Sequence, residues 1–275
     1  MQLVSKTRPI VKWLGGKYRL IDKITDLLPA GDRLIEPFVG SAAVFLNTNY
    51  ASYVLNDANP DLINLYLQLQ DGRGKFIKYC ASYFSGKLNN KEQYYKLRER
   101  FNSLECNAEK AALFLYLNRH GFNGLCRYNT GKGEFNVPFG SYVQPYFPEQ
   151  PMLDFLQKLA AVKVKFVCKD YKQVLRNLKS GDVVYADPPY VPLSKTASFT
   201  KYCPVDFTMA DQEYLAKRAL ALRDRNIAVL ISNHSNEITK KLYKTANKIQ
   251  HFAVGRSISS DIANRQRAKE LLALF

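Results

Sequence analysis

Residues 183–190 read V-V-Y-A-D-P-P-Y, an apolar run that ends in an acid, two prolines and an aromatic. Proline fixes φ and lacks an N–H, so Pro188 and Pro189 predict that a buried strand stops here. Asp187 and the Pro188 carbonyl could both accept hydrogen bonds from one amino group on an aromatic base, and Tyr190 could stack on its ring. Two acceptors would direct the amine lone pair at an electrophile such as a methyl sulfonium. The alternative interpretation is a strand followed by a proline turn.

Residues 12–17 read K-W-L-G-G-K, which joins an aromatic, a glycine pair and two cations. The glycine pair allows a tight backbone turn, and Lys17 could meet a carboxylate or a phosphate. The spacing of a P-loop, G-x-x-x-x-G-K-[ST], is absent. By itself this segment is a weak signal.

Two further strand ends carry small or acidic residues. Residues 34–43 predict a strand, a sharp turn and a helix start, where Gly40 and its small neighbours let a ligand carboxylate approach backbone N–H groups. The full G-x-G-x-x-G of a dinucleotide fold is missing, which argues against a nicotinamide cofactor. Residues 53–57 predict a second strand that ends at Asp57, a position typical of an acid that binds ribose hydroxyls. A helix cap near Asn59-Pro60 is the alternative for Asp57.

The composition indicates a basic globular protein. Its 275 residues carry 40 Lys and Arg against 24 Asp and Glu, a net charge of +16, which favours binding to a polyanion such as nucleic acid. Five cysteines without a C-x-x-C pair are typical of reduced thiols in the cytoplasm, and three scattered histidines add no metal motif, so we expect no metal ion. No run is apolar enough to span a membrane, and residues 1–7 are too short and polar for a signal peptide.

Alternating strands and helices predict a doubly wound α/β sheet, interrupted by a different pattern over residues 72–150. Outside this interruption we expect helices at 18–28 and 208–225 and strands at 162–168 and 227–232. Inside it, residues 92–102 and 108–119 have helical spacing. Residues 121–146 are rich in Gly, Asn, Arg and aromatics, which is typical of a β-ribbon or loop that reads a DNA groove. A simple hairpin turn is the alternative for residues 121–124.

The chain resembles the Dam-like DNA adenine methyltransferases along nearly its whole length. Their order of cofactor loop, middle segment and D-P-P-Y defines the α class. The matching segments are Lys12-Trp13 with Gly15-Gly16-Lys17, Glu36-Pro37-Phe38-Val39-Gly40, Leu117-Asn118-Arg119, residues 123–129, residues 134–140 and Ile231-Ser232-Asn233-His234.

The resemblance implies a Rossmann-like sheet that uses S-adenosylmethionine, with a catalytic domain at 1–71 and 151–275. It also implies an inserted, mostly helical target-recognition domain with a β-ribbon at 72–150. The implied activity is methylation of the N6 amine of adenine in double-stranded DNA, within GATC and by base flipping. A monomer in the cytoplasm, associated with the nucleoid, is expected.

Site residues follow from the same resemblance together with the motifs above. The expected catalytic residues are Asp187, Pro188, Pro189 and Tyr190. The expected cofactor-binding residues are Trp13, Lys17, Glu36, Phe38, Gly40, Asp57 and Asp187. The expected DNA-binding residues are Lys12, Phe122, Asn123, Leu125, Arg127, Pro138 and Tyr142, with Phe122 inserted into the base stack.

Several positions depart from the family pattern or keep two interpretations. Ala42 stands where the F-x-G-x-G pattern has glycine, residues 129–134 are one residue longer than expected, and Ser141 replaces an expected basic residue. Asp170-Tyr171 either contacts the cofactor adenine or begins a helix. Hydroxyls in the loop 191–207 could hold DNA phosphates, and the basic stretch 240–269 could add to a DNA-facing surface.

Alternative functions from other classes are a cytosine-amine or RNA base methyltransferase, and a catalytically inactive DNA-binding regulator. The intact D-P-P-Y argues against the inactive regulator.

Overall fold

The computed structural model describes residues 6–191, 207–254 and 268–275. Within them, seven strands form one sheet in the order β3-β2-β1-β4-β5-β7-β6. The strands are β1 (Arg33–Glu36), β2 (Ser52–Asn56), β3 (Lys163–Val167), β4 (Asp182–Ala186), β5 (Ala228–His234), β6 (Lys248–Val254) and β7 (Ala268–Leu274). β1 to β5 are parallel, and β7 runs antiparallel to β5 and β6.

Both faces of the sheet are covered, because successive side chains of a strand point to opposite faces. In β4, Val183 and Tyr185 belong to one apolar core, whereas Val184 and Ala186 belong to the other. This alternation explains why the strand is apolar at every position: it is buried on both sides. The predicted doubly wound α/β class is confirmed.

Helices connect these strands. They are α1 (Ile21–Thr25), α2 (Ala43–Leu46), α3 (Pro60–Ser82), α4 (Lys91–Ser103), α5 (Ala108–His120), α6 (Glu149–Ala161), α7 (Tyr171–Val174), α8 (Met209–Arg223) and α9 (Glu237–Leu242). The helices predicted near 92–102, 108–119 and 208–225 are confirmed as α4, α5 and α8. The helix predicted over 18–28 is present as a short 3₁₀ turn followed by α1.

Two helices cross the ends of the predicted insertion, 72–150. α3 is interrupted at Arg73, whose φ of 46° and ψ of −131° are not helical. This break lies beside the expected boundary after residue 71. At the other end, α6 begins at Glu149. α3 and α6 contact each other, and both pack into the same apolar core on one side of the sheet.

The segment 121–146 contains less regular structure than the expected ribbon. Isolated antiparallel bridges join Gly121 to Phe139 and Tyr128 to Phe135, without a continuous strand pair. Most of the loop 191–207 and residues 255–267 of the basic C-terminal stretch lie outside the described residues. No described helix is long and apolar enough to cross a membrane.

The order of the strands places the site. β1 lies between β2 and β4 in the sheet. The chain continues from β1 to its neighbour β2 on one side, and from β4 to its neighbour β5 on the other side, so the order of the strands reverses between β1 and β4. Ligands of open α/β sheets bind at such a switch point, outside the carboxyl ends of the strands. Glu36 ends β1, and Asp187 follows β4 directly.

Candidate active site

Asp187 lies at the carboxyl end of β4 with both carboxylate oxygens engaged. Ser232 of β5 donates to Oδ1 at 2.6 Å, and the Nζ of Lys17 lies 2.9 Å from Oδ2. Ser232 is fully buried and also lies 3.2 Å from the Tyr185 hydroxyl. Residues from two distant parts of the chain, Lys17 and Ser232, therefore fix the orientation of this carboxylate.

The rest of the proline corner is held by side chains from α8, β5 and β7. Gln212 donates to the Pro189 carbonyl at 2.7 Å, and the Tyr190 hydroxyl donates to Glu270 at 3.0 Å. The Tyr190 ring packs edge-on against His234, with 4.7 Å between ring centroids. Burial, with the nearby Asp187 carboxylate, raises the pKa of Tyr190 well above its usual value, so its hydroxyl stays a donor.

The turn after β1 approaches Trp13 closely. Gly40 has a φ of +46°, and a Cβ at this position would lie 2.8 Å from the Trp13 Nε1. The glycine is therefore required both by its left-handed backbone and by the indole. Ala42 also has a left-handed backbone, with φ 59°, and is fully buried. An alanine with a left-handed backbone is strained by about 1 kcal/mol or more.

Asp57 connects this turn to the start of α3. Its Oδ2 accepts from the Gly40 N–H and its Oδ1 from the Asn59 N–H, both at 3.0 Å. Burial raises the pKa of Asp57 to about 6, although these backbone donors oppose the shift. The cap of α3 is Asn59 and not Asp57, because the Asn59 side chain accepts from Asp61 and Leu62. The alternative interpretation of Asp57 as a helix cap is therefore wrong, because the cap is Asn59.

One large cavity of about 1240 Å³ runs along these strand ends. It is lined by acids, lysines and aromatics, among them Lys17, Glu36, Phe38, Asp57, Asp187 and Tyr190. The volume exceeds the range of about 300–1,000 Å³ that is typical of small-molecule sites, so it can hold a nucleoside cofactor and a base together.

Three aromatic side chains form one wall of the cavity. The Phe38 ring lies 5.1 Å from that of Tyr171 and 5.6 Å from that of Phe207, centroid to centroid. Flat apolar faces of this kind suit an adenine ring. Asp170 accepts from the Lys172 N–H and caps α7, so the helix-start interpretation of Asp170 is confirmed.

The buried Glu36 carboxyl lines the same cavity. Burial raises the pKa of Glu36 well above the usual value. Two smaller effects act on the same pKa: the Phe45 N–H lowers it and the nearby Asp187 raises it. Its Oε1 has no hydrogen-bond partner among the described residues, although it is buried. A buried unpaired acceptor or donor is unfavourable, so this oxygen is suited to meet a polar group of a ligand.

The expected DNA-binding residues lie along the segment after α5. The Tyr142 hydroxyl accepts from the Asn123 N–H at 2.9 Å, and the Lys12 Nζ lies 4.4 Å from the Tyr142 ring centroid. The Phe122 N–H donates to the Pro138 carbonyl at 2.9 Å, and its ring is 49% exposed. The structure therefore brings these five residues together.

Arg127 and Leu125 stand on the next part of the same segment. Arg127 is exposed, and its Nε donates to the Asn136 side chain at 2.8 Å, which limits the directions of its guanidinium. Leu125 is half-buried and packs on the main core. Ser141 has a left-handed backbone with φ 53° and is exposed.

Sequence reasoning missed four residues of the site: Ser232, Gln212, Glu270 and Phe207. Ser232 lay in residues 231–234, which matched the family pattern without a role, and Phe207 ended the loop 191–207, for which only hydroxyls were considered. Gln212 lay in the predicted helix 208–225 and Glu270 just after the basic stretch 240–269, and neither belongs to a local motif, so their contacts depend on the folded chain.

Comparison with known proteins gives one consistent family. A family model described as "D12 class N6 adenine-specific DNA methyltransferase" matches residues 13–257. A "DNA adenine methylase" of Serratia marcescens is 48% identical over 273 residues, which are 99% of this chain and 100% of the relative. Its counterpart in Escherichia coli (strain K12) is 46% identical, covering 99% of this chain and 96% of the relative. For a Vibrio cholerae serotype O1 relative of the same description the identity is 45%, with 99% and 97% covered.

Proposed function

The chain belongs to the D12 class of N6 adenine-specific DNA methyltransferases, and from this premise we propose that it modifies adenine within GATC by base flipping, with S-adenosylmethionine as methyl donor. Double-stranded DNA is its macromolecular partner, and it acts as a monomer without a metal ion. The observation that carries the proposal is that Asp187, Tyr190 and Asp57 line one cavity.

The cofactor half of the cavity has the polar groups and the aromatic wall that S-adenosylmethionine needs. Asp57 accepts from ribose hydroxyls, Phe38 and Tyr171 cover the adenine, and Trp13, Gly40 and Glu36 border the remainder. The buried, unpaired Glu36 Oε1 supports this assignment. When bound, the cofactor supplies a methyl group made electrophilic by its sulfonium.

The base half is formed by the corner after β4. Asp187 and the Pro188 carbonyl accept the two amine hydrogens of adenine, which directs the nitrogen lone pair away from the ring. Tyr190 stacks on the base, while Pro189 and the bond from Gln212 hold the corner rigid. The hydrogen bond from Ser232, whose Oγ also contacts the Tyr185 hydroxyl, keeps the Asp187 carboxylate in place during transfer.

Residues 72–150 form the target-recognition part, and residues 1–71 and 151–275 form the catalytic part. The cluster of Lys12, Phe122, Asn123, Pro138 and Tyr142 lies beside the cavity, since Lys12 and Asn123 also line it. We assign this cluster, with Leu125 and Arg127, to the DNA groove. Phe122 is the most exposed ring of the cluster and enters the base stack.

The test is to incubate the protein with tritium-labelled S-adenosylmethionine and duplex DNA and to identify the methylated nucleoside. We expect 6-methyladenine, and we expect Asp187→Ala to lower kcat by about a hundredfold or more through loss of one transition-state hydrogen bond. Methylcytosine as product, a preference for RNA, or no transfer would each contradict the proposal.

The sequence GATC is tested separately through Arg127. An arginine that pairs with guanine contributes about 1–3 kcal/mol of discrimination, whereas one that binds phosphate weakens all sites alike. We expect Arg127→Ala to reduce the ratio of kcat/KM on GATC duplexes to that on duplexes with one outer base pair changed. An unchanged ratio with both rates lowered would make Arg127 a backbone contact.

A further inference from the structure

Lys17 fills a position next to the catalytic acid that a ligand amine would need. Its Nζ lies 2.9 Å from the Asp187 Oδ2, 2.6 Å from the Gly15 carbonyl oxygen and 4.7 Å from the centroid of the Tyr190 ring. The Lys17 side chain is only 6% exposed. A nitrogen donor thus contacts the same carboxylate and the same aromatic face that the proposed function assigns to the target adenine.

The two oxygens of Asp187 are not equivalent. Oδ1 accepts from Ser232, which is fully buried within β5 and is therefore held in place. Oδ2 is bound by Lys17, which begins a 3₁₀ turn directly after two consecutive glycines, one with φ +74°. Oδ2 is therefore the oxygen that can exchange its partner.

We propose that Lys17 holds the place of the target amine, and that it gives up Asp187 Oδ2 when the carboxylate of the bound methionine moiety offers an alternative partner. This inference rests on the proposed function of the site. The Asp187 Oδ2 and the face of the Tyr190 ring are then available to the adenine. Base recognition thereby depends on the cofactor being present, without a change in the fold.

The exchange is chemically balanced. An ammonium leaves one carboxylate for another, and its three N–H donors allow it to keep the Gly15 carbonyl during the move. No covalent bond and no proton needs to change hands. A purely structural ion pair would instead stay in place in every state of the protein.

The experiment measures how much the 6-amino group contributes to DNA binding. The dissociation constants of two duplexes are compared, one with adenine and one with purine at the target position, in a sequence that the wild-type protein methylates. Because the same two duplexes are used throughout, differences in base-pair strength cancel between proteins.

Without cofactor, we expect the preference for adenine over purine to be about tenfold higher in Lys17→Met than in the wild type, since the amine no longer competes for Asp187. Adding S-adenosylhomocysteine, which has the same carboxylate, should raise the wild-type preference by a similar factor. The matched control is Lys172→Met, which removes a cavity lysine that is paired at 2.6 Å with Asp211 and not with Asp187. Its preference should equal that of the wild type.

An unchanged preference in both Lys17→Met and the S-adenosylhomocysteine arm would overturn the proposal. The arm with wild-type protein needs no substitution, so it decides the question if Lys17→Met does not fold. Methyl transfer by the wild type to the adenine duplex is assayed in parallel. Failure of that transfer would refute the proposed function, whereas transfer with an unchanged preference refutes only the role of Lys17.

Discussion

Asp57 makes cofactor affinity dependent on pH in a direction that the structure fixes. Burial raises the pKa of this carboxyl from 3.8 to about 6, against the effect of three backbone donors. As a carboxylate it accepts strong hydrogen bonds from ribose hydroxyls, whereas protonation turns one oxygen into a donor and weakens the acceptor that is left. Cofactor binding therefore favours the ionised form, and affinity should fall as the pH falls through about 6.

The size of the effect follows from linkage. If only the carboxylate form binds, the apparent Kd increases by the factor 1 + 10^(pKa − pH). With a pKa of about 6, this factor is about 11 at about pH 5, about 2 at about pH 6, and close to 1 at about pH 7.5. The stability of the cofactor-free protein changes in the opposite direction: a raised carboxyl pKa contributes stability at low pH that is lost as the pH rises through about 6.

Isothermal titration with S-adenosylhomocysteine between about pH 5 and 7.5 measures this dependence, with circular dichroism to confirm folding at each pH. Asp57→Asn is the control, because it keeps an acceptor but cannot titrate, so its Kd should be weaker and nearly independent of pH. It also isolates Asp57 from Glu36, the other cavity acid with a raised pKa. A wild-type Kd that stays constant across this range would refute the role of the Asp57 carboxylate.

Three further outcomes are expected. Tyr190→Ala should reduce kcat/KM more than Tyr190→Phe, since alanine loses the stacked ring, worth roughly 1–3 kcal/mol, as well as the bond to Glu270, worth about 1.5–3 kcal/mol, whereas phenylalanine loses only the bond; equal losses in steady-state kinetics would contradict this. Arg33→Ala should lower the free energy of urea unfolding by about 2–3 kcal/mol, because it leaves the buried Asp182 carboxylate without its bidentate partner, and adding Asp182→Asn should recover part of the loss. DNA affinity should fall steeply with salt, because a protein of charge +16 releases counterions on binding; a flat plot of log K against log salt concentration would argue against binding to the duplex backbone.

The sequence by itself determined the local parts of this protein. The apolar run before Asp187 and the prolines after it specify a strand that ends there, because these effects act between neighbouring residues. The helical spacing over α4, α5 and α8 is likewise local, and those helices appear where the pattern predicts them. The order of the motifs also identified the family, because this order is a property of the sequence and does not depend on the fold.

The tertiary structure alone decided which residues meet at the site. Lys17, Ser232 and Glu270 are far apart in sequence, and they converge on the proline corner only because β4 lies between β1 and β5 at the switch point. The break of α3 at Arg73 has the same character, because its local glycines permit a turn but do not require one. Local patterns limit what each segment can form, whereas the sheet sets the distances between segments, and those distances create the chemistry around Asp187.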